Sequence, residues 1–343
     1  MIVPPYLLYL GHSNDHAGIK TSRGLAVFRP ELCVGEFRHD DCGLTLDLPR
    51  MDFAGAVGAG ARTLVLGVAN AGGRLGEDLV ADAIAAMEAG LDVASGLHQR
   101  LKDEPRLVAA ARRLGRTLHD VRDPQPGTPV GNGKPRAGKR LLTVGTDCSV
   151  GKMYATLCLA QALAARGIKA DFRATGQTGI LIAGSGVPLD AVVADFISGA
   201  IEQLSPERND GGWDLIEGQG SLFHPSFAGV STGLLHGAQP DAIVMCHDPS
   251  RKHMRGLPHF GLPGMAECLA ANLRVARLTN PMVRAVGIAL NTSMLPEGEA
   301  RALCARTESE FGLPCSDPYR FGVEPILDNL LGAAAPLPAA ETA

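Results

Sequence analysis

The chain has 343 residues, of which 45% are hydrophobic and 20% charged, and its formal net charge is −4. This composition excludes a disordered or fibrous protein, and no long basic run indicates a nucleic-acid partner. A chain of this length exceeds the usual size of one hydrophobic core, so two domains are expected. The 42 glycines fit the many tight strand-to-helix turns of an α/β protein.

The N-terminus, MIVPPYLLYLGHSND, has neither a basic segment nor a small-residue cleavage site. We therefore interpret it as a first strand rather than a signal peptide. No apolar stretch approaches the ~18–20 residues of a membrane span, so no membrane partner is expected. Eight cysteines are scattered without a CxxC pair, which is typical of reduced thiols in a cytoplasmic protein without structural zinc.

The first domain is predicted over residues 1–122, where apolar strand-like runs alternate with helical periodicity, as in a small parallel α/β unit. RTLVLGVANAGG (62–73) is typical of a buried strand with a glycine turn, and EDLVADAIAAMEAG (77–90) of a helix ending at Gly90. A segment rich in Pro and Gly (123–139) is the predicted linker. The second α/β domain is predicted over 140–332, and residues 333–343 are expected to be a frayed tail.

A phosphate-binding loop is predicted where the strand RLLTVG is followed by the helical segment 151–167. Glycines allow a tight turn, and the backbone N–H groups at the start of a helix attract phosphate. Five residues separate Gly145 from Gly151, so the strict GxxxxGK[ST] pattern is not met, and an ordinary turn with a solvent-exposed lysine is the alternative. The predicted cofactor-binding residues of this loop are Gly145, Thr146, Asp147, Cys148, Ser149, Val150, Gly151 and Lys152.

Met153 occupies the position after the lysine, where a hydroxyl normally holds Mg²⁺. A thioether is a poor ligand for a hard cation, and Thr156 lies one turn too far along the helix. No metal is therefore predicted. Asp147 remains a candidate metal ligand or base, with capping of the turn as the alternative.

Polar side chains also follow the other predicted strands of the second domain. Glu217 ends the strand in WDLIEGQGS (213–221), where α/β sheets collect active-site groups, and His224 lies on the next loop. Together with Asp147 these are the candidate catalytic residues, although each could simply cap a turn or pack. Asn291, after the strand in RAVGIALNTS (284–293), could bind the edge of an adenine.

Two cationic segments are candidate anion sites. The loop 246–261 follows the strand DAIVMCHD and carries Arg251, Lys252 and Arg255, and HAGIKTSRG (16–24) is predicted as a loop carrying Lys20 and Arg23. Such residues suit an anionic substrate or phosphates, and a merely solvated loop is the alternative.

Five blocks in order resemble the D-glutamate N-acetyltransferase family, long known only as a domain of unknown function: GTDCSVGKM, ATGQTGILIAG, DLIEGQGSLFHPSF, HGAQPDAIVMCHDPSR and GIALNTS. The resemblance spans nearly the whole chain and implies a Rossmann-like N-terminal domain joined to a P-loop NTPase-like domain with a mostly parallel sheet. The second domain is also similar to dethiobiotin synthetase, which shares the GTD...VGK frame but has Thr where this chain has Met153.

The resemblance implies transfer of an acetyl group from acetyl-CoA to the amino group of an acidic amino acid, D-glutamate in that family. Arg251, Lys252, Arg255, Lys20 and Arg23 would bind the two carboxylates of this small-molecule substrate. The resemblance and the apolar helices also suggest a homo-oligomer. The alternatives are a Mg-ATP-dependent ligase or kinase of the dethiobiotin synthetase type and a non-enzymatic nucleotide-binding regulator.

Overall fold

The protein is described by a computed structural model that covers residues 2–16, 18–68, 73–123 and 127–332. These residues form two compact units. Unit 1 contains the described residues up to 123 together with Gly176–Ala191, and unit 2 contains residues 127–175 and 192–332.

The helices and strands alternate along both units. Those before residue 124 are β1 (Tyr6–Gly11), α1 (Lys20–Phe28), β2 (Cys33–Arg38), α2 (Phe53–Gly58), β3 (Thr63–Leu66), α3 (Glu77–Ala89), β4 (Asp92–Ser95), α4 (Pro105–Leu114) and β5 (Leu118–Asp120). Those after residue 126 are β6 (Lys139–Gly145), α5 (Lys152–Ala165), β7 (Ala170–Arg173), α6 (Gln177–Ala183), α7 (Ile197–Leu204), β8 (Trp213–Ile216), α8 (Ala228–Ala238), β9 (Ala242–His247), α9 (Met265–Ala276), β10 (Arg284–Leu290), α10 (Glu297–Phe311), β11 (Cys315–Ser316) and α11 (Glu324–Leu331).

Unit 1 is built on a five-stranded parallel sheet in the order β2-β1-β3-β4-β5. All six residues of β1 are buried, as expected when helices cover both faces of a parallel sheet. One core layer packs β3 side chains such as Leu64 and Leu66 against Ala83 and Met87 of α3 and Leu107 of α4. The expectation of a Rossmann-like α/β unit is confirmed.

A segment from the second half of the chain completes unit 1. Helix α6 packs against α1, and the hydroxyl groups of Thr21 and Thr178 lie 2.9 Å apart. The guanidinium of Arg29 also donates to the carbonyl of Ile182 at 2.6 Å. The segment Gly176–Ala191 therefore belongs to unit 1 and interrupts the predicted second domain. The periodicity of the local sequence does not indicate this change of unit.

Unit 2 is built on a six-stranded parallel sheet in the order β11-β10-β9-β6-β8-β7. Gly145 at the end of β6 is in register with Cys246 of β9, and Leu290 of β10 with His247. The carboxyl ends of these neighbouring strands therefore share one edge. This arrangement confirms the expected P-loop fold with a mostly parallel sheet. The candidate site lies at this edge of the sheet.

One local expectation differs from the structure. Lys20 and Arg23 lie on the first turn of helix α1 rather than on a loop. Asp190 lies in a 3₁₀ turn and pairs with Arg122, and the helix α7 begins at Ile197.

Parts of three sequence predictions lie outside the described residues: 69–72 of the glycine turn, 124–126 of the linker, and the tail 333–343. The eight cysteines all lie in the described ranges, and no disulfide joins them. In those same ranges, no helix has the length and apolar character required to cross a lipid bilayer.

The close packing of α7 against α8 requires a glycine at position 237. A Cβ on Gly237 would lie 2.4 Å from the carbonyl oxygen of Ser198, whereas one on Gly229 in the same helix would meet nothing within 4 Å. We expect Gly237→Ala to lower the free energy of unfolding by about 1–3 kcal/mol. Gly229→Ala should raise it by up to about 1 kcal/mol, because alanine favours helix. Chemical denaturation measures both, and equal stability of the two variants would contradict this packing.

Candidate functional site in unit 2

The strand β6, the turn after it and the helix α5 form the predicted phosphate loop. Gly151 has φ of 99° and Ser149 has φ of 55°, so the chain takes two left-handed steps before the helix begins. A side chain on Gly145 would lie 2.8 Å from Val150 and 3.3 Å from Nζ of Lys152, so the close approach requires glycine. These steps bend the backbone around a concave space at the start of α5.

The N–H groups of this turn are suited to an anion. Within the described residues, the backbone N–H groups of Ser149, Val150 and Gly151 donate to no protein acceptor, and no side chain caps α5. The start of a helix also carries a partial positive charge. The residues present therefore fit a phosphate group, which would accept from these donors.

Lys152 adds charge to the loop from a buried position. Its side chain is only 6% exposed, and Nζ donates to the carbonyl of Asp147 at 2.7 Å. Burial lowers the pKa of the Lys152 ammonium, and nearby Cys148, Cys246 and Asp147 oppose this shift. A bound anion would favour the charged form, so phosphate binding and protonation of Lys152 are coupled.

The residue that follows Lys152 has no hydroxyl. Met153 is half-buried at the second position of α5. Thr156 donates to the carbonyl of Lys152 at 2.8 Å and lies 2.9 Å from the hydroxyl of Thr143. Its hydroxyl is used inside the fold, in keeping with the expectation that it does not replace the missing magnesium ligand.

Asp147 joins the phosphate loop to the cationic loop after β9. Its side chain is fully buried, and Oδ1 accepts from the N–H of Cys148 at 2.6 Å. Oδ2 accepts from Nη1 of Arg251 and from the backbone N–H of Arg255, both at 2.8 Å. One carboxylate thus accepts hydrogen bonds from three donors, which lie on two segments about a hundred residues apart in the chain.

The two arginines reinforce this junction. Arg251 also donates to the carbonyls of Cys148 and Ser149, each at 3.3 Å, and Arg255 donates to the hydroxyl of Ser149. Lys252 is exposed on the same loop. The structure therefore brings Arg251 and Arg255 into contact with the phosphate loop, and their role as substrate ligands stays a prediction.

His224 lies beside Asp147 and is buried. Its Nδ1 accepts from the N–H of Ser226 at 3.2 Å, so Nε2 carries the hydrogen in the neutral ring and donates to the carbonyl of Arg255 at 3.1 Å. Ligand atoms of Asp147, Cys148 and His224 lie within 4.8 Å of one another, a spacing that a metal ion could use. However, a metal could bind His224 only after one of these ring hydrogen bonds breaks.

Glu217 follows β8 directly and is 4% exposed. Its Oε2 accepts from the backbone N–H of Thr175 at 3.0 Å. The next residue, Gly218, approaches so closely that a Cβ there would lie 1.8 Å from the carbonyl of Thr143 and 2.9 Å from Cδ of Lys152. The strand end that carries Glu217 is therefore packed against the lysine of the phosphate loop.

Asn291 lies on the other side of the loop, and a Cβ on Gly151 would be 3.7 Å from its Cβ. Nearby Asp317 accepts from the N–H and hydroxyl of Thr292 at 2.8 and 2.7 Å, and from the N–H of Tyr319 at 3.1 Å. Tyr319 is 59% exposed to solvent, although its side chain is a large aromatic ring.

The ring of Tyr319 meets Tyr154 of α5 edge to face, with centroids 5.8 Å apart. We name Tyr154, Asn291 and Tyr319 the aromatic shelf. Neither tyrosine was predicted from the sequence. Tyr154 lies within an apolar helical segment, and the strand before Tyr319 has only two residues, so the signal there was an aromatic residue in the polar turn SDPYR.

Lys20 and Arg23 belong to unit 1, so they are not part of the group described above. Nη2 of Arg23 lies 2.6 Å from Nδ1 of His16. Their predicted role in binding substrate stays a prediction.

The sequence matches two family descriptions. Residues 129–327 match the P-loop domain of a domain of unknown function, DUF1611_C, and residues 36–124 match its Rossmann-like domain, DUF1611_N. A crystal structure of a DUF1611 family protein from Anabaena variabilis is similar, with a TM-score of 0.87 and 33% sequence identity. The likeness covers 96% of this chain and 100% of that one.

Two named relatives are similar over almost their full length. A D-glutamate N-acetyltransferase of Tritonibacter scottomollicae is 51% identical over 330 residues, which cover 96% of this chain and 99% of that protein. A D-glutamate N-acetyltransferase of a Pseudoalteromonas species is 49% identical over 329 residues, with the same coverage.

The junction at Asp147 can be tested by Asp147→Asn, which keeps the shape but replaces one acceptor oxygen by a donor nitrogen. Hydrogen bonds to charged groups contribute roughly 1.5–3 kcal/mol, so we expect amide hydrogen exchange to rise about tenfold or more in both loop segments, at Cys148 and at Arg255, whose N–H groups the carboxylate accepts. Asp328→Asn is the control, because that carboxylate of unit 2 pairs with Arg166 and belongs to neither segment. Unchanged protection of either segment in Asp147→Asn would argue against the junction.

Proposed function

This chain belongs to the DUF1611 family and is an acyltransferase. We propose that it transfers the acetyl group of acetyl-CoA to the amino group of D-glutamate. The names of the two relatives support an N-acetyltransferase, and the phosphate loop without a magnesium hydroxyl supports coenzyme A as the carrier. The unpartnered N–H groups of Ser149, Val150 and Gly151 are the observation that carries the proposal.

Coenzyme A contains a pyrophosphate and a 3′-phosphate on an adenosine. Binding these groups needs N–H donors and cations but no catalytic metal. The phosphate loop supplies the N–H donors, and Lys152 supplies a positive charge that burial leaves poorly hydrated. Met153 favours this chemistry over Mg-ATP hydrolysis, since nothing at that position can hold magnesium.

The aromatic shelf would receive the adenine. Tyr319 is exposed, and Asn291 offers an amide that can both donate and accept, as an adenine edge requires. Asp317 bonds to the turns of both residues, so it would act as a positioning residue for the shelf.

Acetyl transfer requires a neutral amine, whose lone pair attacks the thioester carbonyl carbon. The carbon–sulfur bond then breaks, the CoA thiolate leaves, and a base takes the proton from nitrogen. All three candidate bases are hydrogen bonded in the structure. We assign the base to Glu217 from its position, because its strand end packs against the side chain of Lys152 in the phosphate loop.

The developing oxyanion needs hydrogen-bond donors that are already in place. Lys152 and the N–H groups of the phosphate loop are the donors that unit 2 offers close to the strand end of Glu217. Cys246 and Cys268 are not nucleophiles in this scheme, because burial raises the pKa of each thiol to about 12.

The activity is tested by following free thiol after the full-length protein is mixed with acetyl-CoA and D-glutamate. We expect thiol release with D-glutamate, little with L-glutamate, and no loss of rate with EDTA. Glu217→Gln should lower kcat by about 10²–10⁴ while CoA binding persists, as is typical for loss of a general base. Lys152→Met should instead weaken CoA binding. Consumption of ATP that EDTA abolishes would establish the ligase alternative instead.

The aromatic shelf is tested by Tyr319→Ala. Stacking of a base on an aromatic ring contributes roughly 1–3 kcal/mol, so the KM for acetyl-CoA should rise about tenfold. Acetyl-pantetheine lacks the adenosine, so its KM should stay unchanged, and Tyr319→Phe should behave like the wild type. An equal rise for both acetyl donors would show that Tyr319 does not contact the adenosine.

A further inference from the structure

His247 is a half-buried residue at the end of β9, between the two parts of unit 2 that the proposed function uses. The strand order is β10-β9-β6, so the end of β9 lies between Asn291, which follows β10, and Gly145, which ends β6. Neighbouring strands of a sheet are about 5 Å apart. A ligand that extends from the aromatic shelf to the phosphate loop therefore passes over the end of β9.

Hydrogen bonds join His247 to both of these parts. Its backbone carbonyl accepts from the N–H of Asn291 at 2.8 Å. Its ring Nδ1 lies 2.9 Å from the hydroxyl oxygen of Thr146, which is fully buried and is the first residue after β6. The N–H of Thr146 in turn donates to the carbonyl of Cys246 at 3.1 Å. The ring therefore has a fixed place against the start of the phosphate loop.

The second ring nitrogen of His247 is open to a ligand. Within the described ranges, Nε2 has no hydrogen-bond partner, and it is not buried away from solvent. It lies at the carboxyl edge of the sheet, where open α/β sheets bind ligands. When the Thr146 hydroxyl donates to Nδ1, Nε2 carries the hydrogen, and in the protonated ring both nitrogens donate. In either state Nε2 is a donor suited to an anion.

The surroundings of the ring are compatible with a bound anion. Burial lowers the pKa of His247, Asp248 raises it and Arg251 lowers it. The carboxylate of Asp248 accepts from the N–H and the hydroxyl of Ser250, and its Oδ2 lies 3.7 Å from Nη2 of Arg251. The nearest negative charge is therefore engaged within its own turn. The ring is neutral at pH 7, and a nearby phosphate dianion would favour its protonated form.

We propose that His247 binds the ribose 3′-phosphate of coenzyme A through Nε2. The proposal rests on the proposed function, with the adenine on the aromatic shelf and the pyrophosphate on the phosphate loop. The ribose links these two groups, so it would lie over the end of β9, and its 3′-phosphate would accept the hydrogen bond from Nε2. Thr146 would act as a positioning residue, since it holds the ring through Nδ1.

Two substitutions at position 247 separate contact with the phosphate from packing of the ring. In His247→Asn, the shorter amide can replace Nδ1 beside Thr146 but leaves no group at the position of Nε2. In His247→Gln, the amide nitrogen reaches the position of Nε2. The matched control is His259→Asn, because His259 is an exposed histidine on the loop after the same strand, where its ring contacts Phe260.

The readout is how strongly the full-length protein prefers adenosine 3′,5′-bisphosphate to adenosine 5′-monophosphate, as the ratio of their dissociation constants from isothermal titration calorimetry. We expect the wild type to bind the bisphosphate about tenfold or more tightly, as a hydrogen bond to a charged group provides. His247→Asn should lose this preference, His247→Gln should keep most of it, and His259→Asn should keep all of it.

These results are independent of acetyl transfer, because the two nucleotides need neither an acetyl donor nor an acceptor. If the preference behaves as expected while D-glutamate releases no thiol, the phosphate subsite stands and the proposed function fails. Equal affinity of the wild type for the two nucleotides, no binding of either at millimolar concentration, or an undiminished preference in His247→Asn would overturn the proposal.

Loss of the preference in His247→Gln as well as in His247→Asn would also overturn it, because the effect would then belong to packing of the ring. The thermal unfolding transition of each variant shows whether it is folded. Were His247→Asn unfolded, the wild type and His247→Gln would still decide the question, since both must prefer the bisphosphate. In the activity assay, the KM of the wild type should be lower for acetyl-CoA than for acetyl-3′-dephospho-CoA.

Discussion

The buried carboxylate of Asp147 is the interaction on which the site in unit 2 depends. It fixes Arg251 and the backbone at Arg255 against the phosphate loop, and it does so without contact with water. A buried charge that lost these partners would be strongly unfavourable, so the two loops are held together as one structure. The loop then keeps its N–H groups in place before a ligand arrives, which is what preorganised binding of an anion requires.

The same arrangement explains why an unusual residue after the lysine is tolerated. The side chain of Lys152 packs closely against Gly145 and Gly218, and its ammonium donates a hydrogen bond to a carbonyl of its own loop. Its position therefore does not depend on a metal. In a magnesium-dependent loop the hydroxyl after the lysine would have to face the phosphates. Here Met153 takes that position, and the hydroxyl of Thr156 bonds inside the fold. Under the proposed function, the loop would bind phosphate through its N–H groups and a desolvated cation.

Much of the site could be predicted from sequence because parallel strands end at one edge. Gly145 ends a strand with a clear apolar pattern, Glu217 and Asn291 each follow one, and the strand order brings these ends together. The junction at Asp147 could not be predicted, since the carboxylate and its arginine partners are about a hundred residues apart and leave no local pattern. Tyr319 was missed for a different reason: a strand of two residues, β11, has no detectable periodicity.

The return of Gly176–Ala191 to unit 1 changes how the two halves of the chain can be separated. Residues up to 123 include every strand of the five-stranded sheet, yet α1 packs against α6, which is encoded after β7 of the other unit. A cut at the predicted linker would leave α1 without this partner and Arg122 without Asp190. It would also remove Gln177 from the turn at Gly96. Unit 1 is therefore complete only when the phosphate loop and the strand after it, which precede α6 in the chain, are present as well.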